Sequence, residues 1–177
     1  FLENKYLKFQ GLNLTVETLD GLLKHNGPYY DFDKLDSIIG VKKFKNKINF
    51  KNNTSLEAQI ANVSDDIAYN NHDIQDGIKA KLFTLNELIE INFFKEIYKS
   101  YKRNIKRNNK EIIIYQIIRD SINLMVKDII KNSINNIKNN KIKKLFDIQN
   151  NENQTVIFSK KFQYIEKEIK LFLKIKM

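Results

Sequence analysis

The sequence predicts an all-α protein on three observations. One Pro and five Gly in 177 residues leave few helix breakers. Strand-like alternation is scarce, while apolar residues recur at three- and four-residue steps in several long segments. In Thr54–Lys79, Leu56, Ile60, Val63, Ile67, Ile74 and Ile78 form one stripe with a single skipped turn, and 111–140 is the longest such segment.

Composition sets outer limits. The length suits one domain, able to bury ~70% of its unfolded surface. With no Cys there is no disulfide frame and no thiolate chemistry. No apolar run approaches the ~20 residues of a membrane span, so no membrane partner and a cytoplasmic location are expected. The net charge of +10 suits an anionic partner. Only three Arg occur, however, although Arg is the usual bidentate reader of phosphates and bases. The first residue is Phe, which fits a processed chain or part of a longer one.

Along the chain, Thr15 is placed to cap a first helix whose apolar positions include Val16, Leu19, Leu22 and Leu23, stopped by Asn26-Gly27-Pro28. His25 falls near its end, where the helix dipole favours a cation. A short helix over Asp33–Ile39 and a solvated loop over KKFKNKINFKNN follow. Thr54 and Glu57 have capping-box spacing for the next helix. Asn86 is placed to cap a helix ending near Tyr101, with Leu88, Ile91, Phe94, Ile97 and Tyr98 on its apolar positions. Tyr101–Lys110 is the densest basic run, read as a helix end and turn. Over 111–140, the residues Ile114, Ile117, Ile118, Ile122, Met125, Ile129, Ile130 and Ile137 are expected to face a core, with Met125 filling a gap. Asp128 faces either a site or a Lys. Residues 147–155 read as a loop, and Ser159 caps a last helix over 160–176 with Phe162, Ile165, Ile169 and Phe172 inward. No internal repeat, phosphate-binding glycine loop or nucleophile elbow is present.

The segment 54–79 carries the chemistry. Between Lys51 and Lys79 there is no Lys or Arg, yet Glu57, Asp65, Asp66, Asp73, Asp76 and His72 all lie there. At ~100° per residue, Asp65, Tyr69, His72, Asp73 and Asp76 share roughly 100° of arc opposite the apolar stripe. The simpler account of that arc is a solvated face, since like charges one turn apart cost only ~0.2–0.5 kcal/mol per pair.

The wording of two segments, GLNLTVETLDGLLKHNGP and SLEAQIANVSDDIAYNNHDIQDGI, resembles consecutive blocks of the deoxyguanosinetriphosphate triphosphohydrolase-like proteins, which are HD-domain phosphohydrolases. IIRDSINLMVKDII and the final helix are similar to the helical C-terminal region of that family. The resemblance implies the C-terminal part of an HD-type helical bundle. Residues 1–100 would belong to the phosphohydrolase core and 101–177 to the associated helical region. It also implies release of triphosphate from a dNTP, with dGTP the expected substrate and a divalent metal, Mg or Mn, as cofactor. Within Ser64-Asp65-Asp66-Ile67-Ala68-Tyr69, Asp65 is the implied metal ligand. Tyr69 is implied to lie against the sugar, and Asp73 to read the 3′-hydroxyl. His72 is expected to be exposed.

The family's first His and its His-Asp pair have no counterpart here, since His25 and His72 sit in no such motif. The chain alone is therefore expected to be inactive. It would need a separate N-terminal HD polypeptide and would form a homo-oligomer in the complete enzyme. The alternatives are a non-catalytic helical interaction remnant and a basic nucleic-acid-binding module.

Overall fold

A computed structural model describes residues 14–31, 33, 47–101 and 110–176. The described residues form seven helices and no strand: α1 (Val16–Leu23), α2 (Leu56–Lys79), α3 (Leu85–Leu88), α4 (Asn92–Tyr101), α5 (Lys110–Asn139), α6 (Leu145–Gln149) and α7 (Lys160–Lys176). The all-α expectation holds. The expected helix over Asp33–Ile39 and most of the basic run after Tyr101 lie outside the described residues.

The chain divides into two compact units. The first comprises Phe1–Asn62 with Asn139–Thr155, and the second Val63–Lys138 with Val156–Met177.

In the first unit α1 begins as expected, with the Thr15 side chain accepting from Thr18 N. It ends at a turn in which Gly27 adopts φ +107°, a backbone state that suits Gly alone. His25 Nδ1 lies 2.8 Å from the Leu22 carbonyl, the helix-end position anticipated for it. The loop read as solvated is not wholly so. Ile48 and Phe50 are buried and form a small core with Val16, Leu19, Leu23 and Tyr29. Two isolated apolar residues among lysines carry no period, so spacing did not mark them as core.

Polar groups hold the rest of this unit. Lys24 is 1% exposed. Its Nζ lies 2.6 Å from Asp20 Oδ1 and donates to the Asn49 and Asn53 carbonyls. Thr54 Oγ1 donates to Asp20 Oδ2. The α2 cap is accordingly displaced: Ser55, not Thr54, accepts from Ala58 N. Thr54 is fully buried and occupied with Asp20. Asn53 and Gln59 tie to the segment after α6, Asn53 Nδ2 donating to Asn151 O and Gln59 Oε1 accepting from Thr155 N.

The second unit has a hydrocarbon core. Ile74, Phe83, Leu88, Ile91, Phe94, Ile97, Ile113, Ile117, Ile118, Ile165, Ile169 and Leu173 form one cluster. The helix expected from Asn86 to Tyr101 is instead two. Thr84 caps α3 through a capping box with Glu87, and α4 restarts at Asn92. Between them Glu90 N and Ile91 N bond three residues back, to Glu87 O and Leu88 O. That tighter turn re-aims the chain while keeping Leu88 and Ile91 buried.

Ser159 caps α7 as expected, and Asp128 resolves to neither a Lys nor a site. Its carboxylate accepts from Ser159 N and Oγ, fixing the start of α7. Met125 is fully buried beside Asn71 and Ser121. Ile130, expected in the core, is 54% exposed, and Ile113 takes a core place instead. Ile60 of the α2 stripe is likewise 49% exposed.

Candidate functional site

Helix α2 carries the candidate residues. From Val63 onward its inner side buries Val63, Ile67 and Ile74, and that burial fixes its rotation. Asp65, Tyr69, His72 and Asp76 are therefore exposed or half-exposed, and Asp73 is half-buried. Tyr69 is 62% exposed, comparable to Tyr164 and Phe146 elsewhere in the chain. At 1.5 Å rise per residue, Asp65, Tyr69 and Asp73 stand about 6 Å apart along the axis, two turns of one ridge.

Counter-charges reach only the margins of this ridge. Lys170 Nζ of α7 lies 3.4 Å from Asp66 Oδ2 and 2.9 Å from Glu166. Burial alone would lower the Lys170 pKa, but the Glu166 and Asp66 carboxylates outweigh it and raise the pKa above its ordinary value. Lys79 stands 3.9 Å from Asp76. Among the described residues neither Asp65 nor Asp73 is ion-paired, which leaves both carboxylates as open acceptors.

Beneath the ridge lie two buried amides that hydrophobic spacing did not flag, Asn70 and Asn71. Asn71 Nδ2 donates to Ile67 O, one turn back in its own helix. Asn70 Nδ2 and Asn71 Oδ1 have no hydrogen-bond partner among the described residues. The Asn-Asn pair inside an otherwise periodic helix was the available signal.

A 990 Å³ cleft in the same unit is lined from α4, α5 and α7, including Glu96, Asp120, Leu124 and Tyr164. None of Asp65, Tyr69 and Asp73 lines it. Among the described residues no group of three or more His, Asp or Glu is placed to hold a metal ion. Asp65 by itself is one carboxylate, and a hard divalent cation needs several oxygen ligands for firm binding. The residues present therefore do not make a complete metal site.

No protein-family model matches the chain. Individual relatives do. It is 68% identical over all 177 residues to the deoxyguanosinetriphosphate triphosphohydrolase-like protein of Pelagibacter ubique (strain HTCC1062), covering 48% of that protein. It is 39% identical over 97% of its length to the protein of the same name from Bartonella quintana (strain Toulouse), covering 44% of it. For the Rickettsia felis protein of that name the identity is 34% over 172 residues, again 44% of its length. The chain thus spans about half the length of the curated relatives it matches. Essentially the whole of it is homologous to the deoxyguanosinetriphosphate triphosphohydrolase-like proteins, as the wording of its α1 and α2 segments led us to expect.

Proposed function

We propose that this chain supplies the nucleotide-facing helix of a dNTP triphosphohydrolase acting on dGTP, and that it is inactive until the rest of the catalytic unit is provided. The observation that carries this is the ridge on α2. A carboxylate, a ring and a second carboxylate follow at four-residue steps on the outer side of a helix whose inner side is fixed by the core. Homology over the full chain to proteins named for dGTP triphosphate hydrolysis supports the same assignment.

In this assignment each residue has one task. Asp65 would contribute one oxygen ligand to a divalent cation, Mg²⁺ or Mn²⁺, whose other ligands lie outside this chain. Tyr69 lies against the deoxyribose, where its ring crowds any 2′-hydroxyl. Asp73, ionised and therefore only an acceptor, takes a hydrogen bond from the 3′-hydroxyl. The remaining ligands and the His-Asp pair would come from a separate N-terminal HD polypeptide, and the complete enzyme would be a homo-oligomer.

The test combines this chain with the portion of the Pelagibacter relative that it does not match, in the presence of Mn²⁺ and dGTP. Deoxyguanosine and tripolyphosphate should appear only when both are present. Asp65→Ala should abolish that turnover with helix content unchanged. Tyr69→Ala and Asp73→Ala should mainly raise KM or erase the preference for deoxy over ribo substrates. Turnover that survives Asp65→Ala would remove the ligand role, and absence of turnover with both polypeptides folded would remove the enzyme assignment.

A further inference from the structure

The first unit gathers unpaired positive charge on one face. The turn between α5 and α6 carries Lys141, Lys143 and Lys144, all exposed. Lys47 and Lys51, also exposed, belong to the loop packed beside α6. Asn53 N donates to Gln149 O and Asn52 Nδ2 to Asn150 Oδ1, which ties that loop to the end of α6. Lys47 and Leu145 line one 240 Å³ cleft, so the loop also reaches the start of α6. Lysine is common throughout the chain, and number alone selects nothing. Two features set this face apart. First, none of these five ammonium groups is ion-paired among the described residues. Asp147 is turned to the backbone, accepting from Lys143 N and Lys144 N. Of the acids lining the cleft, Asp20 is paired with Lys24, which leaves Glu17. Second, Phe146 is 63% exposed, with the Lys144 ammonium 5.5 Å from its ring centre.

We propose that this face binds single-stranded nucleic acid, the lysines taking phosphate oxygens and Phe146 stacking on a base. Charge complementarity selects a polyanion, since ammonium groups without carboxylates release counterions when phosphates replace them. The ring selects a single strand, because only an unpaired base offers its face to an aromatic side chain. No Arg lies on this face, so base edges go unread and no sequence preference is expected. A lipid surface of the same charge fits less well. Leu145 lines the cleft beside Lys47, which leaves Phe146 as the main apolar side chain free to enter a bilayer. The face lies in the first unit and contains none of Asp65, Tyr69 and Asp73, so the inference goes beyond the dGTP reading and stands independently of it.

Fluorescence anisotropy of the full chain with a labelled oligodeoxythymidylate, over a salt series, tests this. With all five lysines on phosphates of a single strand, log K should fall against log salt with a slope of about −3.5. Affinity should then drop about 100-fold between ~50 and ~200 mM NaCl. Lys143→Gln with Lys144→Gln should flatten the slope by about 1.4. Phe146→Leu keeps an apolar side chain but removes the ring; it should weaken binding about tenfold and leave the slope unchanged. Controls come from the second unit. Lys161→Gln with Lys167→Gln, and Tyr164→Ala at a ring 64% exposed, should change neither affinity nor slope. All the substituted side chains of the face are exposed, and circular dichroism checks that each variant keeps its helix content. The proposal is overturned by absence of binding at ~50 mM salt, by full affinity in Phe146→Leu, or by a control pair as damaging as the pair at 143 and 144. Competition by a duplex as strong as by the unlabelled single strand would also overturn it. So would stronger competition by vesicles containing phosphatidylserine, which would assign the face to a lipid surface.

Discussion

Lys24 at the end of α1 is as deeply buried as the isoleucines of the second unit, 1% exposed against 0% for Ile74 and Ile117. The two units use that burial differently. Around Lys24 the buried side chains are Asp20, Asn53, Thr54 and Gln59, joined to one another or to backbone by hydrogen bonds and one ion pair. Around Ile117 twelve apolar residues form one cluster. Hydrocarbon contact is non-directional and tolerates small shifts, whereas a buried ammonium must find its acceptors at fixed places or lose several kcal/mol. Around Lys24, beside the small apolar core of Ile48 and Phe50, geometry is thus specified through few polar residues, whereas the second unit's cluster accumulates stability over many apolar ones.

The largest losses are expected at the centre of each unit. In the second unit, Phe94→Ala should cost about 3–5 kcal/mol by deleting a fully buried ring. In the first, Lys24→Ala should cost a similar ~3–5 kcal/mol, because Asp20 is left charged and buried beside Thr54. Urea melts of both variants measure this. A loss below ~1 kcal/mol for Lys24→Ala would place the pair in the class of ordinary surface salt bridges and end the contrast. Rescue separates the two chemistries further. Phe94→Leu should recover most of the loss, whereas Lys24→Met should not, since the Asp20 carboxylate stays unpaired.

A smaller effect probes packing in the second unit. A Cβ added at Gly77 would come within 2.3 Å of Phe83 Cε1. Phe83 is 2% exposed and meets Phe172 edge-on at 4.9 Å, so the ring has little room to yield. Gly77→Ala should cost about 1–3 kcal/mol in the same urea assay. By contrast Ile60→Ser, at a position periodicity placed in the core, should stay within about ±0.5 kcal/mol because the side chain is half exposed.

The difference between the units also explains what could be read in advance. Apolar period marked the core where the core is hydrocarbon: Val63, Ile67, Ile74, Ile117, Ile118, Ile165 and Ile169 are all buried as spacing requires. It had nothing to say about Lys24, Asn53, Thr54 or Gln59, because a buried polar residue is written like a solvated one until its partners are known. Ile60 and Ile130 fail in the other direction, since period identifies a face but not whether the protein covers it. For the candidate site, the shared side of Asp65, Tyr69 and Asp73 followed from helical geometry; among the described residues Asp65 and Tyr69 are exposed and Asp73 is half-buried. Their chemical tasks came from family resemblance alone. The buried amides of Asn70 and Asn71 beneath them carried no periodic signal.

The smallest effect tests the two units through charge. The second unit also has a lysine–carboxylate pair, Lys176 with Glu87, but it lies at the surface. The Lys176 hydrogen bond, helped by Thr84 N–H and hydroxyl, holds the Glu87 carboxyl at about 2 instead of 4.5. A carboxyl with a lower pKa folded than unfolded binds more protons in the unfolded state across that interval. Its contribution is thus fully present above about pH 4.5 and fades as pH falls toward 2. The stability difference between the parent chain and Glu87→Gln should follow that course, constant at neutral pH and shrinking through the acid range. Salt distinguishes the two pairs: at ~1 M NaCl, where the Debye length is near 3 Å, the Glu87→Gln difference should shrink while the Lys24→Ala loss persists. A salt-insensitive Glu87 and a salt-sensitive Lys24 would invert the assignment of surface and interior, and with it the distinction between the two units.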